Sequence, residues 1–170
     1  MISIQAAARG HVGLARLEPS DGEALLRLFY RLSPESIYRR FHSPLVRPDQ
    51  ARPERLLDID HHDREAVVAV LDGEILGVAR YFRQPGEPEA ELAVVVADDW
   101  QGQGLAIRML RCLAGLARSA GITRFTASIQ ADNRPALALL RRMHPSGVNF
   151  SQGALRVDLN ARAETRRSQN

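Results

Sequence analysis

Apolar positions along the 170-residue chain follow two rhythms: short alternating or continuous runs, and three-and-four spacing. The runs "HVGLARL" (11–17), "EAVVAVL" (65–71), "EILGVARYF" (74–82), "ELAVVVA" (91–97) and "ITRFTASI" (122–129) have the length and composition of strands. Asp72-Gly73 stands between the second and third of them, the strongest short hairpin signal in the chain, and "QPGEPE" returns the chain to the fourth. Helical spacing begins at Leu25, Leu26, Leu28 and Phe29, with Ser20 as the expected N-cap and Glu23 three residues on, as in a capping box. "SPESIYRRF" (33–41) repeats an opening signal, Ser33 as cap and Pro34 in the first helical position, and Pro44 and Pro48 follow as breakers. The longest helical pattern runs from about 104 to 120, with Ala106, Met109, Leu110, Leu113, Leu116 and Ala117 on one stripe and Gly121 as terminator. "NRPALALLRRM" (133–143) predicts a last helix, "VNFSQGALRVDL" (148–159) a hairpin around Gly153, and "ARAETRRSQN" (161–170) a frayed polar tail.

Antiparallel strands first and a strand-helix-strand-helix unit after make this a mixed α/β pattern, expected to form a single domain over 1–160. With 45% hydrophobic and 25% charged residues the composition is globular. No apolar run approaches the ~18 residues that a bilayer span needs, and "MISIQAAARG" lacks a charged segment ahead of an apolar one. A protein of the cytoplasm, off the membrane, is the expectation. Cys112 is the sole cysteine and lies on a helical apolar stripe, so it reads as a small core residue.

Charge changes the picture less than the pI of 9.7 suggests. All 23 basic residues are arginine, and the net charge is only +3. The pairs Arg39/Arg40, Arg141/Arg142 and Arg166/Arg167 are scattered and lack interleaved aromatics, which favours solvated faces over a nucleic-acid surface. "DIDHHD" (58–63) gathers groups that can ligate a metal, but without helical H-x-x-x-H spacing or a distant fourth ligand. A hydrated loop bordering the next strand is the better reading, and no metal is expected.

The chemistry concentrates in "VVVADDWQGQGLAIRML" (94–110), a strand that breaks into a charged turn, two glycines and a helix. A phosphate loop of the G-x-x-x-x-G-K-[ST] type is absent, and Ile107 stands where a dinucleotide fingerprint needs its third glycine. The first four amides of a helix have no intrahelical partner, and the helix dipole adds positive potential there. Gly102 and Gly104 put no side chain in front of those amides, so diphosphate oxygens can approach them. A plain strand-to-helix turn would use the same two glycines.

"QGQGLA" (101–106) fits the Q/R-x-x-G-x-G/A motif, with a valine-rich strand before it and Asn133 and Ala136 of an N-x-x-A helix start about thirty residues on. On these features the chain resembles the GNAT superfamily of acetyl-CoA-dependent N-acetyltransferases. "LSPESIYRRFHSPL" (32–45) further resembles the first-helix region of bacterial protein lysine acetyltransferases of the Pat type. The resemblance implies a central mixed, mostly antiparallel twisted sheet flanked by helices, with the coenzyme cleft between the two central strands. It implies acetyl-CoA as co-substrate, held by Gln101, Gly102, Gln103, Gly104, Leu105 and Ala106 at its diphosphate and by Val94, Val95 and Val96 along its pantetheine arm. Asn133 then approaches the pantetheine or the sulphur, and Arg108 meets either phosphate or solvent.

The implied reaction moves an acetyl group to a primary amine by direct attack. The foremost acceptor is a protein lysine; a small amine such as a polyamine or an antibiotic-like compound is the alternative, as is a silent acyl-CoA-binding sensor. A monomer or homodimer is expected. An alkyl ammonium with a pKa near 10.4 is neutral in about one molecule in 2,500 at pH 7, a handicap of roughly 4 to 5 kcal/mol, so a base is required. By similarity Glu91 is that base, at the start of its strand in apolar surroundings expected to raise its pKa, with Glu89 in reserve on the same face. The tyrosine that many members place seven residues after the asparagine is replaced by Leu140. A thiol with a pKa about 8.5 can depart as thiolate with little help.

Overall fold

The computed structural model describes residues 10–41, 53–129, 133–143, 148–151 and 154–158. One seven-stranded sheet organises them, in the order β1-β2-β3-β4-β5-β7-β6. Its strands are β1 (Gly13–Arg16), β2 (Arg64–Leu71), β3 (Glu74–Arg83), β4 (Glu89–Val96), β5 (Arg124–Ser128), β6 (Val148–Ser151) and β7 (Ala154–Asp158). Every neighbouring pair is antiparallel except β4 and β5. The helices are α1 (Gly22–Tyr30), α2 (Pro34–Phe41), α3 (Pro53–Leu56), α4 (Leu105–Ser119) and α5 (Arg134–Met143). The predicted tail lies outside the described residues, as does Gly153 at the β6–β7 turn.

Period-two patterning explains why β2 is buried almost throughout. Val67 and Ala69 belong to a core shared with α4, whereas Ala66, Val68 and Val70 belong to a second core shared with α1 and α2. A central strand covered on both faces reads as a continuous apolar run. Into the first core α4 sends Met109, Leu110, Leu113 and Ala117; into the second α1 sends Leu25, Leu28 and Phe29. Each such large side chain contributes about 1.5–3 kcal/mol on burial. Asp72 (φ 50°) and Gly73 (φ 83°) form the tight β2–β3 turn, as their left-handed tolerance predicts.

Two local expectations are corrected. Ser20 does not cap α1: it sits inside a single 3-10 turn, Pro19–Asp21, where the Asp21 carboxylate accepts from the Glu18 amide at 2.8 Å and Glu18 returns the contact. The box formed by this acidic pair closes the 3-10 turn, and α1, with Asp21 at its N-cap position, has no side-chain cap bond. Strand β4 begins at Glu89, two residues early, so Glu91 is its third residue.

Two irregularities shape the site. The β2–β3 register shifts between Ala69 and Val70, whose partners are Gly77 and Ile75, leaving Leu76 as the extra residue of a bulge. A Cβ on Gly77 would lie 2.9 Å from the Val95 carbonyl oxygen, so glycine is what lets β3 lie close against β4 there. The β4–β5 ladder is short: Glu89↔Arg124, Ala90↔Phe125 and Glu91↔Thr126 are its pairs. Beyond Glu91 the two strands part, and the notch between them opens onto the site.

Candidate active site

The notch holds two adjoining cavities, of about 350 Å³ and about 310 Å³. Val94, Asn133, Ala136, Leu139, Arg39 and Arg40 line both, so they form the wall where the two meet.

Around the larger cavity the structure brings together Val94, Val95, Val96, Gln101, Gly102, Gly104, Leu105, Ala106 and Asn133. Gly102 and Gly104 have φ of 75° and 80°, a conformation that costs an L side chain about 1–2 kcal/mol. Among the described residues, a Cβ on either would meet no atom within 4 Å. The glycines therefore serve the turn and leave open space before α4, whose N-cap is Gly104. Amides at the head of a fifteen-residue helix, faced by open volume and bare glycines, fit a diphosphate.

The remaining motif residues brace the loop. Gln101 donates to the Val96 carbonyl at 3.1 Å and to the Ser36 hydroxyl at 3.2 Å. Gln103 donates to the Asp99 carbonyl at 3.1 Å and is not among the lining residues. Arg108 is exposed, donates to the Val12 carbonyl at 2.9 Å and is not among the lining residues. Trp100 packs against both cores and also lines the larger cavity. Asn133 caps α5, its Oδ1 accepting from the Ala136 amide at 3.2 Å, while it faces both cavities. Ser33 caps α2 through the Ser36 amide at 3.2 Å.

Asp98 joins this loop to α2. Its carboxylate accepts from the Ser33 amide at 3.0 Å, the Ser33 hydroxyl at 2.7 Å and the Ser36 hydroxyl at 2.9 Å. Burial works against the charge, yet the Ser33 and Ser36 donors prevail and hold the carboxyl below its usual range. Arg31 adds an ion pair to Asp99 at 2.9 Å.

The smaller cavity is lined by Glu91, Leu92, Ala93 and Val94 of β4 and by Ala127, Ser128 and Ile129 at the end of β5, with Arg39 and Arg40 from α2. The apolar surroundings expected of Glu91 are not found. Its side chain is exposed, Phe82 lies opposite it on β3, and the charges of Arg40 and Arg80 act with it. Burial first, and then the Arg80 charge, lower the Arg40 guanidinium to about 10, with Glu91 opposing. Arg80 is lowered by burial too, with Asp58 and Glu91 opposing. Arg39 pairs with Glu35 one turn back. Reading Arg39/Arg40 as a solvated pair is thus corrected. Helical periodicity places them on α2 but cannot show that α2 covers the end of β4. Glu89, the reserve base, pairs with Arg124 at 3.3 Å.

Other groups in the chain are absorbed by structure. In "DIDHHD" the Asp60 Oδ1 accepts from the amides of His62, Asp63 and Arg64 at 2.8–2.9 Å, and Asp63 pairs with buried Arg83 at 2.6 Å. No three His, Cys, Asp or Glu converge on a metal position among the described residues. Tyr81 donates to the His62 carbonyl at 3.0 Å, and burial raises its phenol to about 12. Burial likewise raises the Cys112 thiol, in keeping with a packed residue. Leu140 falls within α5, and its side chain lies outside the described residues. No described helix is long and apolar enough to cross a membrane.

A strand that parts from its parallel neighbour, with a glycine turn feeding a helix at the split, makes a site suited to a diphosphate-bearing co-substrate, and the comparisons with known proteins make the protein an acetyltransferase. The family model described as Acetyltransferase (GNAT) family matches residues 30–144, and the chain belongs to that family, whose co-substrate is acetyl-CoA. It is 34% identical over 128 residues to an acetyltransferase of Pseudomonas aeruginosa, covering 73% of this chain and 69% of the relative. It is 29% identical over 144 residues to Acetyltransferase Pat of Mycolicibacterium smegmatis, covering 83% of this chain and 43% of that longer protein. An L-2,4-diaminobutyric acid acetyltransferase of Methylotuvimicrobium alcaliphilum is 31% identical over 86 residues, 49% of this chain and 50% of the relative. Among solved structures, the GNAT domain of S. lividans PAT superposes with a TM-score of 0.78 at 29% identity, over 87% of this chain and 89% of that one.

Proposed function

We propose that this chain acetylates the side-chain amine of a lysine on another protein, taking the acetyl group from acetyl-CoA by direct attack, in the cytoplasm. The observation that carries the chemistry is the pair of cavities meeting at Val94 and Asn133, one headed by the glycine turn and the other holding Glu91. Acetyl-CoA supplies an activated thioester when bound. Gly102, Gly104 and the opening amides of α4 hold its diphosphate, and β4 past Glu91 offers main-chain groups to the arm. The amine nitrogen forms its bond to the carbonyl carbon, the carbon–sulphur bond breaks, and the sulphur leaves as thiolate. Glu91, in contact with solvent, takes the ammonium proton directly or through water.

Likeness to the GNAT domain of S. lividans PAT over most of both chains supports the lysine reading. A second reading, a small amino acid as acceptor, is favoured by likeness to the diaminobutyric acid acetyltransferase.

Release of free thiol from acetyl-CoA, followed with lysine peptides and a small-amine panel, tests both readings. Glu91→Gln is expected to lower kcat by about 10²–10⁴ while calorimetric affinity for CoA holds. Coenzyme binding without turnover on any amine would make the protein a sensor instead, and an unimpaired Glu91→Gln variant would remove Glu91 as the base.

A further inference from the structure

We propose that Arg142, in the last turn of α5, receives the ribose 3′-phosphate of the coenzyme, so that the protein selects acetyl-CoA over the same thioester without that phosphate. This rests on the larger cavity being the coenzyme site. Helix α5 forms one wall of that cavity, where Pro135, Ala138, Leu139 and Arg142 recur at three-and-four spacing as a single stripe. Asn133, Ala136 and Leu139 also border the smaller cavity, whereas Arg142 borders only the larger one. The stripe thus leads away from the junction of the two cavities and ends in a guanidinium. From Asn133 to Arg142 the helix climbs about 13 Å, at about 1.5 Å per residue.

Coenzyme A carries its charge in two places, a diphosphate between the pantetheine arm and the ribose, and a monoester on the ribose itself. The bare glycine turn and the opening amides of α4 answer the first. Along the α5 stripe the wall is apolar as far as Leu139, which suits the uncharged parts of the coenzyme, and only its last residue is charged. Arg142 is exposed, and among the described residues no carboxylate pairs with it. Arg39 and Arg40 line the larger cavity too, but they also border the smaller one and so stand at the junction, away from the nucleotide. A phosphate monoester holds about −1.5 to −2 charges near pH 7 and three acceptor oxygens, which a guanidinium fork meets two at a time.

Calorimetric titration with CoA and with 3′-dephospho-CoA tests this. The unaltered protein is expected to bind CoA about tenfold or more tightly than its dephosphorylated form. In Arg142→Gln that ratio should fall toward one through loss of CoA affinity alone, and unchanged binding of dephospho-CoA verifies that the variant is folded. Arg142→Lys, a charge without the fork, should give an intermediate ratio, and it carries the comparison if the Gln variant melts early. Equal affinity for the two nucleotides in the unaltered protein, or a ratio that Arg142→Gln leaves intact, overturns the inference while the acetyl-CoA reading stands. Equal weakening of both nucleotides in a variant of unaltered Tm assigns the guanidinium to the diphosphate and overturns it as well. If neither nucleotide binds the unaltered protein, the coenzyme site itself falls, and the inference with it.

Discussion

Gly104 shows at the scale of one residue how a backbone angle and a proposed binding site share a position. Its φ of 80° disfavours any side chain, while no described residue fills the space beside it. Gly104→Ala is therefore expected to cost about 1–2 kcal/mol of stability, from strain alone, and to weaken CoA binding more steeply than that. Thermal melts and calorimetry on one preparation separate the two effects. Asp60 makes a different prediction. Burial opposes its charge, but three backbone amides and then the Arg64 side chain lower its carboxyl from 3.8 to about 2. A carboxyl depressed in the folded state stabilises above its unfolded value and loses that contribution as pH falls through the folded one. The Tm of the unaltered protein should thus drop between about pH 4 and pH 2, and Asp60→Ala, lower at neutral pH, should drop less over the same window. The glycines were legible in the sequence because their role is local. The surroundings of Glu91 were not, since they come from Arg80 across one strand and Arg40 on a helix fifty residues away.

Helix α2 carries the same lesson at the scale of an element. Its opening, Ser33 with Pro34, can be read directly, because capping is chemistry among near neighbours. Its place over β4 depends on Asp98, which takes three hydrogen bonds from Ser33 and Ser36. Asp98→Ala should lower Tm by about 2–4 °C and raise KM for the acceptor more than it lowers kcat, since Arg39 and Arg40 travel with the helix. Melting curves and steady-state kinetics check this. The hairpin at Asp72-Gly73 and helix α4 were equally legible, each having its turn or cap within its own residues. Capping of α1 misled, because Ser20 lies inside the preceding turn and Asp21, at the N-cap position, turns its carboxylate back to the Glu18 amide.

At the scale of the whole molecule, the alternation of strands and helices gave the architecture, and the one parallel pairing gave the notch. A ligand that binds only the folded chain stabilises it by RT ln(1 + [L]/Kd), about 2.7 kcal/mol at a hundredfold excess over Kd. CoA at that excess should raise the Tm by about 5–10 °C, measured by calorimetric or fluorescence melts. Free adenosine, lacking the diphosphate, should fail to do so. The absence of lysine from the chain sharpens any assay of this activity, because acetyl-lysine detected in a reaction mixture must belong to the added acceptor.

The bonds among Ser33, Ser36, Asp98 and Gln101 fasten α2, proposed to border the acceptor, to the loop proposed to hold the coenzyme, and any coupling they carry between the two sites is reciprocal by thermodynamic necessity. Whatever factor a bound nucleotide adds to acceptor affinity, a bound acceptor must return to the nucleotide. Titrations in both orders should yield one common factor, and cutting the fastening at Asp98 should shrink it from either direction.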